Sequence, residues 1–178
     1  MVKLFVIFLS VVITRSPLNF SDENLASAKS ALTRLYTAIR GLSASTKAMN
    51  QVSIHFDYEK RFNDALNDDF NTPNALSILF EIAKHANTER KNDKDQAGAL
   101  SELLKKLGNN IGIMEHDADD YLKRGIELSD EKIDEKIHQR ESARASKDFA
   151  MSDQIRDELL EIGIILEDSI NGTTWRRK

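Results

Sequence analysis

From Leu25 onward, apolar residues recur at three- and four-residue steps, broken at intervals by polar runs and glycines. Leu25, Ala28, Leu32, Leu35, Tyr36 and Ile39 fall on one face of a helix. Ser21 is suited to cap it, Asp22 and Glu23 favour the positive end of its dipole, and Gly41 ends it. Leu42–Gln51 has no such period and reads as a polar loop. A second helix is predicted over Phe56–Leu66, burying Phe62, Ala65 and Leu66. Asn67-Asp68-Asp69-Phe70-Asn71-Thr72-Pro73 then forms a turn into a third, with Thr72 or Asn71 as cap and Pro73 at the first helical position. Adjacent carboxylates on a turn rarely converge on one ion, so Asp68 and Asp69 read as part of the capping turn. Leu76, Leu79, Phe80 and Ala83 carry the third helix towards a charged connection, Glu89–Asp95. Ala97–Leu107 places Leu100, Leu103, Leu104 and Leu107 inward and stops at Gly108. Ile111–Met114 supplies an apolar plug, and Asp117–Arg124 a brief last helix.

The pattern changes beyond Lys123–Leu128. Asp130–Ala145, capped by Ser129, has only Ile133 and Ile137 as strongly apolar positions, with Arg140, Arg144 and Lys147 gathered towards its end. Asp148–Ile162 carries Met151, Ile155, Leu159 and Ile162 as an inward stripe. Two β-prone segments follow, Ile164–Asp168 and Thr173–Arg176, with Asn171-Gly172 as a type I′ turn signal between them. The fold class is therefore mainly α: an antiparallel helical bundle followed by a small α+β module of two helices and a β-hairpin. The domain reading is 1–14 leader, 15–124 bundle, and 125–178 module.

Phe149, Asp153 and Arg156 repeat at four and three residues, on a face distinct from the inward stripe. An unstacked RNA base offers a flat face to an aromatic ring and a Watson–Crick edge to Asp153 or Arg144. The competing reading of these residues is ordinary packing and ion pairing. Trp175 is read as packing on the helices rather than stacking on RNA.

Composition narrows this picture. The 178 residues carry a formal charge of −4 and no cysteine, which excludes disulfides and thiolate metal sites. His55, His85, His116 and His138 show no metal-ligand spacing. From Asp130 to Lys178, twelve Asp/Glu face nine Lys/Arg. That excludes a general phosphate-binding surface, so any RNA contact there must be local and selective. Met1–Thr14 is apolar but shorter than the ~20 residues that span a bilayer. It reads as an out-of-frame or otherwise non-native leader, with a signal-peptide-like segment and a buried strand as alternatives.

Several segments, in order, resemble the carboxy-terminal part of cysteinyl-tRNA synthetases. They are Arg15-Ser16-Pro17-Leu18-Asn19-Phe20-Ser21-Asp22-Glu23-Asn24-Leu25 and Asn67-Asp68-Asp69-Phe70-Asn71-Thr72-Pro73, then Ala143-Arg144, Lys147-Asp148-Phe149 and Ser152-Asp153-Gln154-Ile155-Arg156-Asp157. The last are Leu166-Glu167-Asp168 and Gly172-Thr173-Thr174-Trp175-Arg176-Arg177. Codons permitted for residues 5–14, read two nucleotides later, extend the likeness upstream, which is why the leader reads as a frameshift product. The resemblance implies a helical bundle and an anticodon-binding domain, with Arg144, Phe149, Asp153 and Asp168 placed to read the anticodon of cysteine tRNA. It implies a family reaction, ATP-dependent attachment of cysteine to its tRNA, using ATP and zinc. The nucleotide-binding motifs and zinc ligands of that reaction are not among these residues. The expectation is therefore a tRNA-binding, cytoplasmic fragment without a catalytic residue, metal ligand or cofactor of its own, and without autonomous aminoacylation. Cysteine tRNA is the expected partner and a separately encoded catalytic domain a further one; no membrane is expected. The alternatives are a stand-alone helical interaction protein without RNA binding or catalysis, and a secreted helical protein.

Overall fold

The computed structural model describes residues 21–43, 52–124, 128–169 and 172–178. The leader, most of the polar loop and Asn171 lie outside them. The fold is mainly α and divides into two compact units, one ending at Ala118 and the other running Asp119–Lys178.

The first unit is a helical bundle. Helix α1 (Asp22–Ile39) starts where Ser21 Oγ accepts from the Asn24 N–H at 3.2 Å. It buries Ala28, Leu32, Leu35, Tyr36 and Ile39, the face that its periodicity predicts. Gly41 takes a left-handed φ of +70° just beyond its end. The final carbonyls find a partner far away in sequence: Arg90 donates from Nη2 to Ala38 O and from Nη1 to Arg40 O, both at 2.9 Å. That guanidinium both satisfies orphan acceptors and complements the negative end of the dipole.

Helix α2 (Val52–Asn67) is longer than predicted and buries Phe62 and Ala65, with Leu66 half-buried. The turn after it holds Asp69 and Phe70 in the left-handed region, at φ 52° and 51°. Asn71, rather than Thr72, is the cap of α3 (Thr72–Asn92); its side chain accepts from the Asn74 N–H at 3.2 Å. Pro73 sits in the first turn, where its missing N–H costs nothing.

The charged connection expected over Glu89–Asp95 is instead mostly helix. Helix α3 runs to Asn92, and only Asp93 separates it from α4 (Lys94–Asn110). Asp93 serves both helices, donating its N–H to Glu89 O at 2.8 Å and accepting from the Gln96 N–H at 3.0 Å. A run of charges is compatible with helix when it lies on the outer face. Gly108 does not stop α4 either. It is buried inside the helix, and a Cβ there would overlap the Met114 side chain. The glycine marks a close approach, and Gly112, at φ +75°, is the left-handed residue of the exit. Tyr36, fully buried, fixes this plug by donating its hydroxyl to Ile113 O at 3.3 Å and accepting from the His116 N–H at 3.2 Å. No described helix is long and apolar enough to cross a membrane.

The second unit begins with α5, the short helix Ala118–Lys123 that starts at the boundary, and continues with α6 (Asp130–Ala145) and α7 (Phe149–Glu161). An antiparallel pair closes it, β1 (Ile164–Ser169) and β2 (Gly172–Arg177). Its core is small: Ile133, Ile137, Ile155, Leu159, Ile164 and Trp175. The packing role expected of Trp175 holds. The inward stripe of α7 needs correction, because Met151 and Ile162 are exposed while Ser152 is buried. A core this thin meets only the middle of the helix. The hairpin register also differs from a turn at Asn171-Gly172. Ser169 pairs with Gly172, so Gly172 belongs to β2, where its lack of a Cβ permits φ +116°.

Candidate nucleic-acid interface

Two inward rows meet at the rim of the second core. On α6 the row is Ile133, Ile137, Arg140 and Arg144, at steps of four, three and four. On β1 it is Ile164, Leu166 and Asp168, every second residue. Both rows begin apolar and end charged. The charged ends pair: Arg140 Nη1 and Nη2 donate to Asp168 Oδ1 and Oδ2 at 3.0 and 2.9 Å, a bidentate fork. Arg144 Nη1 donates to Oδ2 at 3.2 Å. The register sets Thr173 opposite Asp168, and its hydroxyl donates to Oδ1 at 2.8 Å. The Arg140 fork and the Thr173 hydroxyl hold the Asp168 carboxyl far below the usual carboxylate range, with the Arg144 charge adding to them.

The turn between α6 and α7 places the second half of the site. Lys147 adopts φ 62°, uncommon outside glycine. Its N–H donates to Arg144 O at 3.1 Å, and the Asp148 N–H to Ala143 O at 2.8 Å. Those paired bonds are a Schellman ending with lysine in the usual glycine position. Asp148 then caps α7, accepting from the Met151 N–H at 3.0 Å. Phe149 is thereby the first residue of α7 and is 63% exposed. Asp153 lies one turn on, exposed and 3.3 Å from Arg156 Nη1.

Of the four residues singled out in the sequence, Arg144 and Asp168 are in direct contact, whereas Phe149 and Asp153 stand on the exposed strip of α7. None of the four is sealed in the core. Arg140 and Thr173 are the additions. Arg140 could have been suspected from its place four residues before Arg144. Thr173 required the strand register. Chemically, the strip offers an open aromatic face, a carboxylate acceptor and a guanidinium donor, which are the groups an unpaired base needs for stacking and edge recognition.

Comparison with known proteins matches the chain in two segments. The DALR domain model matches residues 61–115, within the bundle. The model of the cysteinyl-tRNA ligase anticodon binding domain matches residues 130–176, which is α6, α7 and the hairpin. The chain matches the carboxy-terminal part of the cysteinyl-tRNA ligases. It is 47% identical over 167 residues to the cysteine–tRNA ligase of Methylococcus capsulatus, 45% to that of Yersinia pseudotuberculosis, and 43% to that of Pectobacterium carotovorum. Each match takes in 92% of this chain but only 35 or 36% of the relative. The chain thus spans about a third of the length of the curated cysteine–tRNA ligases it matches, and corresponds to their carboxy-terminal part.

Proposed function

We propose that this chain binds cysteine tRNA through its terminal module, with Phe149 stacking on an unpaired anticodon base and Asp153 and Arg144 facing base edges. The observation that supports this most directly is the exposed Phe149, placed at the start of α7 beside charged groups inside the segment matched by the anticodon-binding model. The acidic balance of the module makes the binding selective rather than a general attraction to phosphate. Filter binding with cysteine tRNA and an anticodon-substituted control tests it. Retention of the first and not the second is expected; equal retention would count against anticodon reading.

The same proposal includes no aminoacylation by the chain alone. The zinc that the resemblance implies for the family does not fit these residues: there is no cysteine, and among the described residues no three His, Asp or Glu side chains converge on a common point. No step is derived through it. A separately encoded catalytic domain would supply the ATP chemistry, and a cytoplasmic location accompanies this reading. ATP–pyrophosphate exchange with cysteine measures it. No exchange is expected from the purified chain, and robust exchange would refute the statement.

A further inference from the structure

The carboxylate of Asp168 has no acceptor capacity left. Oδ1 receives Arg140 Nη1 and Thr173 Oγ1, and Oδ2 receives Arg140 Nη2 and Arg144 Nη1. An ionised carboxylate offers about four lone-pair sites, and these donors fill them. A base N–H brought to Asp168 would have to displace one. Arg144 is the opposite case. A single donor of its guanidinium is engaged among the described residues, and the side chain is 52% exposed. Among the described residues of this cluster, the donors that are both uncommitted and exposed belong to Arg144.

Arg140 is the buried member, with its side chain 6% exposed. Its Nε–H is buried without a partner among the described residues. An apolar side chain continuing the Ile133–Ile137 row would avoid that unpaired donor and the desolvation of a cation. Module stability is therefore a poor reason for an arginine here. A fork that fixes both oxygens of Asp168, and through Oδ2 the guanidinium of Arg144, is a better one.

We propose that Arg140 and Asp168 are positioning residues, a clamp that orients Arg144 towards a base edge bearing two neighbouring acceptors, so that Arg144 rather than Asp168 meets the nucleotide. The proposal rests on the anticodon-binding reading above and sharpens it by assigning the cluster to an acceptor edge.

The test uses the full chain with Arg140→Met, Arg140→Lys, Arg144→Ala and the Arg140→Met/Arg144→Ala pair. The first readout needs no RNA: the Asp168 carboxyl is titrated by carbon NMR. The groups acting there are Arg140, Arg144 and Thr173, with Glu141 and Asp153 acting on Arg140. In the unaltered chain Asp168 should stay ionised well below pH 4, and Arg140→Met should move its titration upward. Ordinary titration in the unaltered chain would overturn the clamp by itself. The second readout is the affinity for cysteine-tRNA anticodon stem-loops substituted at each anticodon position, with a thermal melt of every variant. Arg140→Met should lose about tenfold in affinity, as for one charge-assisted hydrogen bond. The loss should fall at the anticodon position where Arg144→Ala loses it, with nothing further lost in the double variant. Arg140→Lys, keeping charge without the fork, should be intermediate. Additive losses, or an equal loss on every RNA alongside a lowered melting midpoint, would make Arg140 merely structural and end the proposal. If the unaltered chain fails to distinguish the stem-loops while Asp168 still titrates low, the anticodon reading fails, and the positioning role with it, although the clamp itself stands.

Discussion

The two units treat their aromatic and charged residues differently. In the bundle, Tyr36 and Phe62 are fully buried, and ion pairs such as Lys60–Asp64, at 2.7 Å, lie on the surface. In the terminal module, Trp175 is buried, but Phe149 is left outside while Arg140 goes in. Exposure of an aromatic is not distinctive by itself, since the bundle exposes Phe56 and Phe70 at 65% and 72%. What sets the module apart, among the described residues, is that a charged side chain, Arg140, is buried and forks onto a carboxylate. Burying an arginine whose Nε–H is unpaired among the described residues is a poor way to stabilise a six-residue core. The bundle is arranged for packing, and the module gives up packing to hold polar groups in place.

The contrast is most easily broken by paired truncations. Phe62→Ala should cost the bundle about 3–5 kcal/mol in denaturant unfolding, by loss of buried area and the cavity left behind. Phe149→Ala should leave stability within about 0.5 kcal/mol. It should weaken binding of the anticodon stem-loop by about 1–3 kcal/mol, the range for one lost stacking contact. A large stability loss from Phe149→Ala would erase the distinction between the two rings.

Gly108→Ala probes how tightly the bundle is packed. The new methyl group must displace Met114, so a loss of about 1–3 kcal/mol is expected from thermal or chemical unfolding. A neutral or stabilising result would mean that the plug is loosely held.

Titration separates the units most gently. Burial holds the His55 imidazole below its ordinary value, against the opposing pull of Glu59. Its unfolded form gains a proton first, so the bundle should lose stability as pH falls below about 6.5. Asp168 has a depressed folded pKa, so its contribution is complete above the unfolded value near 4 and fades only as pH falls further. Unfolding followed separately at Trp175 and at bundle resonances should show the bundle responding first. His55→Gln and Asp168→Asn should each flatten one of the two slopes. Coincident responses that neither substitution alters would contradict this account.

Most of the bundle was legible because one apolar face per helix suffices to place it, as Leu32, Leu35 and Ile39 show. The errors lie where a local signal has two physical meanings. Gly108 looked like a helix end but serves a close approach, and the charges around Arg90 looked like a loop but lie on helix, with Arg90 capping α1. In the module, Phe149 was legible because it falls off the inward stripe. Met151 and Ile162 were misplaced because periodicity cannot tell how thin a core is. Arg140 was passed over because its burial depends on Asp168, 28 positions away across a fold that periodicity does not specify.

On the proposed reading, the exposed groups of the module meet unpaired bases while the packed bundle core does not. Amide and side-chain NMR shifts on adding a cysteine-tRNA anticodon stem-loop to the full chain test this most directly. Shifts concentrated on Arg144, Phe149, Asp153 and the Arg140–Asp168 cluster, absent with an anticodon-substituted loop, are the predicted result. Shifts confined to the bundle, or the same response to both loops, would contradict the account.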